Sequence, residues 1–262
     1  MVTGASSGLG YELAYQLAHH HHANLIIAAR RADKLNQLKT ELERDAGVQV
    51  KVVVADLSVS EDVERLITEC LNGQELYAAV LNAGITHFGP HAELSQHDFE
   101  RLVQTNVISV VRITSELVKH FEQTGSEAGI MIVSSMAGIF PVPYQAAYSG
   151  TKSFLIGFAN ALAHEIKSRV LSLTIFAPGG IVTEMTATEN FNDLQGWLMP
   201  VSQAAKEGIY ALKARKFNYV PGAINRVGNI FMKLLPKKMI VGILAKTYQR
   251  SLQKVNSAGK IK

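Results

Sequence analysis

Short apolar runs alternate along the chain with longer segments whose apolar positions recur every three or four residues. The short runs have the length and β-branched content of strands, and the longer segments have the period of amphipathic helices. The predicted strands are Leu25–Ala29, Val50–Ala55, Ala78–Leu81, Ile130–Ser134, Leu171–Phe176 and Tyr219–Val220. The predicted helices are Gly10–His20, Ala32–Ala46, Ser60–Leu71, Gln96–Glu122, Ala146–Ser168 and Ser202–Ala214. This alternation is typical of a parallel sheet covered by helices.

The predicted strands are largely apolar on both faces, as expected for strands buried between two helix layers. Because crossovers between parallel strands are right-handed, we expect an α/β fold with a doubly wound parallel sheet and helices on both of its faces. No repeat or linker divides the chain. Residues 1–222 are therefore predicted to form one domain, and residues 223–262 a helical extension of it.

The first strand of this pattern is short. The glycine-rich segment begins at Thr3, so that only Met1 and Val2 precede it, whereas a buried strand usually has about five residues. We expect either that the chain is truncated at its N-terminus or that its first strand is unusually short.

The composition narrows the class of protein. Of the 262 residues, 47% are hydrophobic and 18% are charged, which excludes a disordered chain. No apolar run approaches the roughly 18 residues that span a bilayer, and the N-terminus lacks a signal-peptide pattern. The single cysteine, Cys70, excludes an internal disulfide and has the phase of a helix packing residue. We expect a cytoplasmic protein.

A glycine-rich turn opens the first helix. Its sequence is Thr3-Gly4-Ala5-Ser6-Ser7-Gly8-Leu9-Gly10, with the spacing G-x-x-x-G-x-G. Glycines at such a turn allow a tight bend and a close approach of backbone to a phosphate, while the N–H groups and dipole of the helix start favour an anion. Taken alone, the motif also fits a plain loop. Its place at the start of an alternating β/α chain favours a Rossmann-like dinucleotide site.

The end of the second predicted strand indicates which nucleotide binds. A site for NAD usually places a carboxylate there, but this chain has Arg30 and Arg31, with no carboxylate until Asp33. The guanidinium of Arg30 can pair with a 2′-phosphate, and Arg31 can assist, although both also fit a surface helix start. NADP(H) is favoured over NAD(H).

A tyrosine and a lysine share one face of a predicted helix. Tyr148 and Lys152 stand four residues apart. A phenol has an ordinary pKa near 10, and a fixed ammonium beside it favours the phenolate. Such a pair can pass a proton to or from a substrate oxygen, but the spacing alone is common on helices.

Several motifs together resemble the short-chain dehydrogenase/reductase family in its compact, single-domain form. The resemblance covers nearly the whole chain. It rests on Thr3–Gly10, Asp56 in Ala55-Asp56-Leu57, Asn82-Ala83-Gly84, Asn106, Ser135 in Ser134-Ser135-Met136-Ala137-Gly138, Tyr148 with Lys152, and Pro178-Gly179 followed by Thr183. These motifs follow one another in the family's order and spacing.

The resemblance implies a role for each motif. Tyr148 would be the general acid or base, and Lys152 would lower its pKa and bind the nicotinamide ribose. Ser135 would bind the substrate oxygen, with Ser134 as a rival one residue off the family's spacing, and Asn106 would hold a water in a proton path. The implied cofactor contacts are Gly4, Ser6, Ser7, Gly8, Leu9, Gly10, Arg30, Asp56, Leu57, Asn82, Ala83, Gly84, Tyr148, Lys152, Pro178, Gly179, Ile181 and Thr183.

The segment Glu184–Pro200 stands where the family carries a lid over its substrate. Apolar residues there and before Tyr148 indicate an apolar substrate, although lids are apolar for closure in any case. These residues are Phe191, Trp197, Leu198, Met199, Phe140, Pro141, Pro143 and Tyr144. The resemblance also implies a homodimer or homotetramer, paired through the helices that carry Asn106 and Tyr148.

Four consecutive histidines, His19–His22, close the first predicted helix. His19 and His22 can share a face, but no carboxylate or cysteine joins them as a further ligand. Histidines also suit the dipole at a helix C-terminus. We expect no bound metal.

The C-terminal extension is strongly basic. From Lys213 onward the chain has 12 of its 26 Lys and Arg residues and no acid, whereas the part before it has 14 basic and 22 acidic residues. Two apolar stripes at helical spacing flank Pro236, namely Val227, Ile230, Phe231, Leu234 and Leu235, then Met239, Ile240, Ile243, Leu244 and Tyr248. This pattern fits a helix lying on an anionic membrane surface, and equally a helix docked on its own domain or a dimer arm. Nucleic-acid binding is not expected.

The sequence thus predicts an NADP(H)-dependent oxidoreductase that transfers a hydride between the nicotinamide and a carbonyl or alcohol of a small molecule. The constellation Asn106, Ser135, Tyr148 and Lys152 would carry the chemistry. The alternative is a catalytically silent regulatory or scaffold protein that keeps the fold and binds a nucleotide.

Overall fold

A computed structural model describes residues 1–73, 75–184, 186 and 198–258. Within these residues, seven strands form one sheet with the order β3-β2-β1-β4-β5-β6-β7, and every pair is parallel. The strands are β1 (Val2–Thr3), β2 (Leu25–Ala29), β3 (Val50–Val54), β4 (Ala78–Leu81), β5 (Ala128–Val133), β6 (Leu171–Phe176) and β7 (Asn218–Tyr219). The order reverses direction between β1 and β4, which is where doubly wound sheets open a crevice for ligands.

Helices cover both faces of this sheet. They are α1 (Gly8–His21), α2 (Ala32–Ala46), α3 (Ser60–Leu71), α4 (Gln96–Val103), α5 (Ser109–Thr124), α6 (Met136–Ile139), α7 (Ala146–Glu165), α8 (Val201–Lys213), α9 (Ala223–Lys233) and α10 (Lys237–Ala258). Apolar residues of α3, α5 and α7 pack in one core cluster, and those of α1, α2 and α8 pack in the other. The expected α/β fold with helices on both faces and a helical C-terminal region is confirmed.

Most predicted elements lie within one or two residues of the observed ones, but the long predicted helix Gln96–Glu122 is wrong as a single α-helix. A π-helical turn, Gln104–Ile108, separates α4 from α5. The prediction missed it because the apolar period continues on both sides. Such turns occur often at functional sites, and this one contains Asn106.

The first strand has only two residues in this chain. Val2 pairs with Ile27 of β2 and Val80 of β4, so even this short strand lies in the middle of the sheet. Both its residues are buried. Because β1 is paired with β2 on one side and with β4 on the other, the direction in which the chain enters the glycine-rich turn is fixed.

The C-terminal region consists of α9 and α10, joined at Pro236 as the apolar pattern predicts. Buried Ile240 holds the start of α10 against the protein. Among the described helices, none is long and apolar enough to span a membrane. The division of the chain at residue 222 stays a prediction.

Candidate active site

Close packing at the glycine-rich turn fixes where α1 begins. A Cβ atom at Gly10 would lie 2.3 Å from the carbonyl oxygen of Gly4, and one at Gly4 would lie 2.9 Å from the Cα of Ala83. Gly4 also has a φ of +70°, which favours glycine. Side chains at these two positions would push the turn away from the sheet.

The start of α1 has no acidic residue of its own, and the side chains of Glu41 and Glu184 line the cavity beside it. Ser7 is its N-terminal cap residue but makes no side-chain capping bond, and the first turn contains no acid. The dipole and N–H groups of this 14-residue helix therefore favour an anion at its N-terminus. The side chain of Leu9 is buried in the core, so only its backbone faces this end of the helix.

The strands β1 and β4 are joined at their carboxyl ends by one hydroxyl. Thr3 Oγ1 accepts hydrogen bonds from the backbone N–H groups of Asn82, at 3.0 Å, and Ala83, at 3.1 Å. Asn82 returns a bond from its Nδ2 to the carbonyl oxygen of Thr3 at 3.1 Å. This double link holds Asn82-Ala83-Gly84 against the glycine-rich turn.

Two arginines follow β2, and the structure gives them different surroundings. Arg30 lies 3.8 Å from the carboxylate of Asp56. Arg31 donates from Nε to Ser6 Oγ at 3.2 Å, and it also pairs with Glu184 at 3.2 Å. Arg31, which we expected only to assist Arg30, is thus the arginine that contacts the glycine-rich turn.

Asp56 stands directly after β3 and is held in one orientation. Its Oδ1 accepts bonds from the backbone and the hydroxyl of Ser58, at 2.9 and 2.7 Å. Burial raises the pKa of the Asp56 carboxyl, but the two bonds from Ser58 and the charge of Arg30 outweigh it, so that the pKa is lowered overall. The neighbouring Leu57 buries its side chain in the core.

Asn106 is fully buried at the π-helical turn. Its Oδ1 accepts from the N–H of Ile85 at 2.9 Å, and its Nδ2 donates to the carbonyl oxygen of Ile85 at 2.8 Å and to Thr151 Oγ1 at 3.2 Å. The extra residue of a π turn lets this side chain bind both backbone groups of the loop after β4. Asn106 therefore ties that loop to α7.

The two serines after β5 have different partners. Ser134 is buried and donates its hydroxyl to the carbonyl oxygen of Lys152 at 2.9 Å. Ser135 caps α6 by accepting from the N–H of Ala137, its Oγ lies 3.5 Å from the carbonyl oxygen of Pro178, and it neighbours the Tyr148 hydroxyl, whose pKa it lowers. Of the two rivals, Ser135 is the one that faces Tyr148.

Close contact between α6 and α7 brings this serine to the tyrosine. A Cβ atom at Gly138 would lie 2.6 Å from the carbonyl carbon of Lys152, so a side chain there would drive the two helices apart. The glycine of the Ser134–Gly138 motif is therefore required by packing.

Lys152 is buried and its ammonium is held by the sheet. Its Nζ donates to the carbonyl oxygen of Val133 at 2.8 Å and lies 5.7 Å from the centroid of the Tyr148 ring. A Cβ atom at Gly84 would lie 3.4 Å from both this Nζ and Asn106 Oδ1, which shows how closely the three residues meet. Burial lowers the pKa of Lys152 to about 8.

The pKa of the Tyr148 hydroxyl is raised in this structure. Burial raises this pKa, the neighbouring Ser135 side chain opposes the rise, and nearby Tyr248 adds to it. We expected Lys152 to lower this pKa; in this structure burial dominates, and the pKa is raised overall. The tyrosine is therefore protonated at neutral pH.

The segment after β6 crosses the site from Ser135 to the glycine-rich turn. The carbonyl oxygen of Pro178 accepts from the N–H of Met136 at 2.8 Å. At the other end, the Thr183 side chain lies 3.3 Å from the position of a Cβ atom at Gly8. Ile181 bridges to Met199 between these ends. Pro178, Gly179, Ile181 and Thr183 thus line one continuous edge of the site.

The C-terminal helices also reach the site, which the sequence did not reveal. The ring of Tyr248 in α10 lies 5.7 Å from that of Phe88, in the loop after β4. Asn225 of α9 lies against Gly179. Both residues are far in sequence from the motifs around Ser135 and Tyr148, and the apolar phase of Tyr248 was the signal that could have indicated its position.

Other predicted features lie elsewhere. Phe191 and Trp197 of the predicted lid fall outside the described residues. Within the described part of the chain, no cluster of three His, Cys, Asp or Glu side chains is placed to hold a metal ion. His21 of the histidine run contacts Lys213 at 3.2 Å, at the C-terminal end of α1, which is the end away from the glycine-rich turn.

The sequence is similar to those of several dehydrogenases and reductases. Human 17-beta-hydroxysteroid dehydrogenase type 3 is 32% identical over 194 residues, covering 73% of this chain and 62% of that protein. The very-long-chain 3-oxoacyl-CoA reductase of Anas platyrhynchos is 28% identical over 254 residues, covering 94% and 78%. This chain therefore spans about six tenths of the length of the human relative.

Solved structures show the same fold. A 7β-hydroxysteroid dehydrogenase superposes with a TM-score of 0.83 at 20% identity, covering 93% of this chain and 95% of its own. A short-chain dehydrogenase from Sphingobium yanoikuyae, in complex with NADPH, has a TM-score of 0.79 at 22% identity, covering 90% and 95%. The 3-ketoacyl-(acyl-carrier-protein) reductase from Brucella melitensis, complexed with NADH, has 0.74 at 27%, covering 83% and 92%.

The first three quarters of the chain identify its family. Residues 1–193 match the short chain dehydrogenase family. The parallel sheet, the glycine-rich turn and the residues gathered at the strand ends agree with this match. The chain belongs to the short-chain dehydrogenase/reductase family.

Proposed function

We propose that this protein is an oxidoreductase that transfers a hydride between a nicotinamide nucleotide and a carbonyl or alcohol, with Tyr148 as the acid or base. One observation carries the proposal. The Ser135 side chain lies near enough to the Tyr148 hydroxyl to lower its pKa, and the buried Nζ of Lys152 lies 5.7 Å from the centroid of the tyrosine ring. A proton donor, a hydroxyl that can hold a substrate oxygen and a positive charge are therefore together at the ligand-binding edge of the sheet.

The residues present fit a dinucleotide. The first turn of α1 carries no acidic residue, which suits a pyrophosphate, and the close packing of Gly4 and Gly10 holds the turn against the sheet. We assign Asp56 and Asn82 to the adenosine side, and Lys152 and Thr183 to the nicotinamide side. A nicotinamide bound there supplies or accepts the hydride.

The chain's own residues would manage the proton. With a raised pKa, Tyr148 keeps its proton at neutral pH and can donate it to a carbonyl oxygen during reduction. Ser135 would orient that oxygen. Lys152, with a pKa of about 8, stays mostly charged at pH 7 and favours negative charge developing on the phenol. Asn106 positions the loop after β4 behind this lysine.

We propose NADP(H) as the preferred nucleotide. Arg30 and Arg31 both follow β2, where NAD-binding members usually have a carboxylate, and Arg31 contacts Ser6 of the glycine-rich turn. Two guanidinium groups there suit a 2′-phosphate. The solved structures that share the fold include complexes of both nucleotides, so the preference rests on these arginines.

An apolar substrate fits the surroundings of Tyr148. Tyr248 lies near enough to Tyr148 to raise its pKa, and the Tyr248 ring lies 5.7 Å from that of Phe88. The relatives named above include an enzyme of steroids and one of long acyl chains, both bulky and apolar. We therefore propose a bulky apolar ketone or its alcohol as the substrate class.

We also propose a homodimer or homotetramer paired through α4–α5 and α7. Ile108, at the end of the π-helical turn, and Phe154, on α7, are exposed apolar residues on these helices. Pairing with a second copy would bury them.

Replacing the catalytic hydroxyl tests the assignment of Tyr148. Tyr148→Phe is expected to lower the kcat for ketone reduction by about 10²- to 10⁴-fold, because it removes the general acid. NADPH binding, followed by nicotinamide fluorescence, should be unchanged. Tyr210→Phe, at an exposed tyrosine of α8, is the matched control. Nucleotide binding without turnover of any carbonyl by the unaltered protein would instead favour the silent scaffold.

Removing an arginine tests the nucleotide preference. Arg30→Ala is expected to weaken NADPH binding by roughly 10- to 100-fold, as for the loss of a hydrogen bond to a charged group, and to leave NADH binding unchanged. The same substitution at exposed Arg44 of α2 should affect neither nucleotide. Titrations of each variant with both nucleotides measure this. An equal loss for NADPH and NADH would contradict a 2′-phosphate contact.

The buried charge of Lys152 gives a pH-dependent stability. Its pKa in the folded state is about 8, below the ordinary 10.5, so the unfolded chain binds more protons between these values and stability rises with pH. Lys152→Met keeps the side-chain length without the charge. The stability of the unaltered protein relative to this variant should increase by about 3 kcal/mol between pH 8 and 10.5, measured by urea unfolding.

Lys206→Met, at an exposed lysine of α8, is the control for this comparison and should show no such rise. A flat difference for Lys152→Met as well would mean that the ammonium is not buried in the folded protein.

A further inference from the structure

The helix α9 is amphipathic, but its apolar face points away from the protein and its polar face points inward. Its outward face carries Ile224, Val227, Ile230, Phe231 and Leu234, and the exposed fractions of Ile224, Ile230 and Leu234 are 83%, 63% and 78%. None of its residues is buried. A surface helix of a soluble protein normally turns its apolar stripe toward the core. Docking on its own domain, one of the roles considered from the sequence, does not describe the stripe of α9, whereas Ile240 and Tyr248 of the second stripe do pack against the protein.

The inward face of α9 is polar. Asn225 donates from Nδ2 to the carbonyl oxygen of Pro221 at 3.1 Å and lies against Gly179 of the active-site edge. The side-chain oxygen of Asn229 is buried on the same side. The apolar stripe thus faces outward because the polar face is already packed against the protein.

An ion-pair cluster fixes this orientation. Glu207 of α8 accepts hydrogen bonds from Arg226 at 2.7 Å, from the N–H of Gly222 at 2.9 Å and from the hydroxyl of Tyr219 at 3.1 Å. Burial raises the pKa of Glu207, but these bonds outweigh it and lower the pKa overall. The first turn of α9 is therefore anchored, and its apolar face is presented rigidly.

The exposed apolar surface continues past Pro236. Leu235, Met239 and Ile243 are exposed, and Lys233, Lys237 and Lys238 lie exposed around them. Glu207 is the last acid of the chain, and it is paired within the cluster just described. The surface therefore combines apolar side chains with charge of a single sign.

We propose that this outward face of α9 and the start of α10 docks on an anionic lipid bilayer, lying in the plane of the membrane surface. Apolar side chains of such a helix enter the boundary between headgroups and acyl chains, and lysines around them pair with anionic headgroups. Charge selects this occupant over a second copy of the chain, because two copies of this face would bring like charges together. The inference stands apart from the proposed enzymatic activity.

Flotation with vesicles tests the proposal on the full chain. The protein is expected to float with vesicles of phosphatidylcholine and phosphatidylserine, to float less at high salt, and to stay unbound with phosphatidylcholine alone. Ile230→Ser with Phe231→Ser should lower the partition coefficient on the order of 100-fold, from the loss of two buried apolar side chains. Lys237→Gln with Lys238→Gln should lower it by roughly 30-fold.

Tyr77→Ser with Val170→Ser is the matched control, because it removes two exposed apolar side chains at the opposite, amino-terminal edge of the sheet. It should bind vesicles like the unaltered protein. Absence of flotation with phosphatidylserine, or equal loss in the control, would overturn the proposal. So would an Ile230→Ser and Phe231→Ser variant that floats normally but forms a smaller oligomer in sedimentation, since the face would then join subunits.

Discussion

Parallel pairing of all seven strands is the constraint on which the rest of the structure depends. In a parallel sheet every carboxyl end lies at one edge, so a residue placed just after any strand reaches the same crevice. Gly4, Arg30, Asp56, Asn82 and Ser135 each stand one or two residues beyond a strand end. The site is thus assembled from short sequence motifs far apart in the chain, which the sheet brings to one edge.

Much of this arrangement is predictable because it depends on local pattern. The strands Leu25–Ala29, Ala78–Leu81 and Leu171–Phe176 have the predicted bounds, since each is an apolar run between clear breaks. What the sequence could not predict depends on contacts between distant residues. The π-helical turn at Asn106 repeats the apolar period of its neighbours, and the burial that raises the pKa of Tyr148 comes from packing around it.

The C-terminal region was also only partly predictable from the sequence, and it links the proposed oxidoreductase activity with the proposed docking on lipid. Periodicity identified its apolar stripes, but only the packing of Asn225 and the Glu207 cluster reveals which face of α9 points outward. Its inner side contacts the edge of the active site, and Tyr248 of α10 stands beside Phe88. A region that docks on lipid with one face and borders the site with the other would place a bulky apolar ketone close to Tyr148.

The central claim is direct hydride transfer between the nicotinamide and a substrate carbon at the Ser135–Tyr148–Lys152 site. The most direct measurement uses NADPH that carries deuterium at the transferable C4 position, incubated with a bulky apolar ketone, followed by mass spectrometry of the alcohol. The account predicts one deuterium on the carbinol carbon of the product and a slower rate with the deuterated nucleotide. An alcohol without deuterium, or no reaction across a panel of ketones despite NADPH binding, would contradict it.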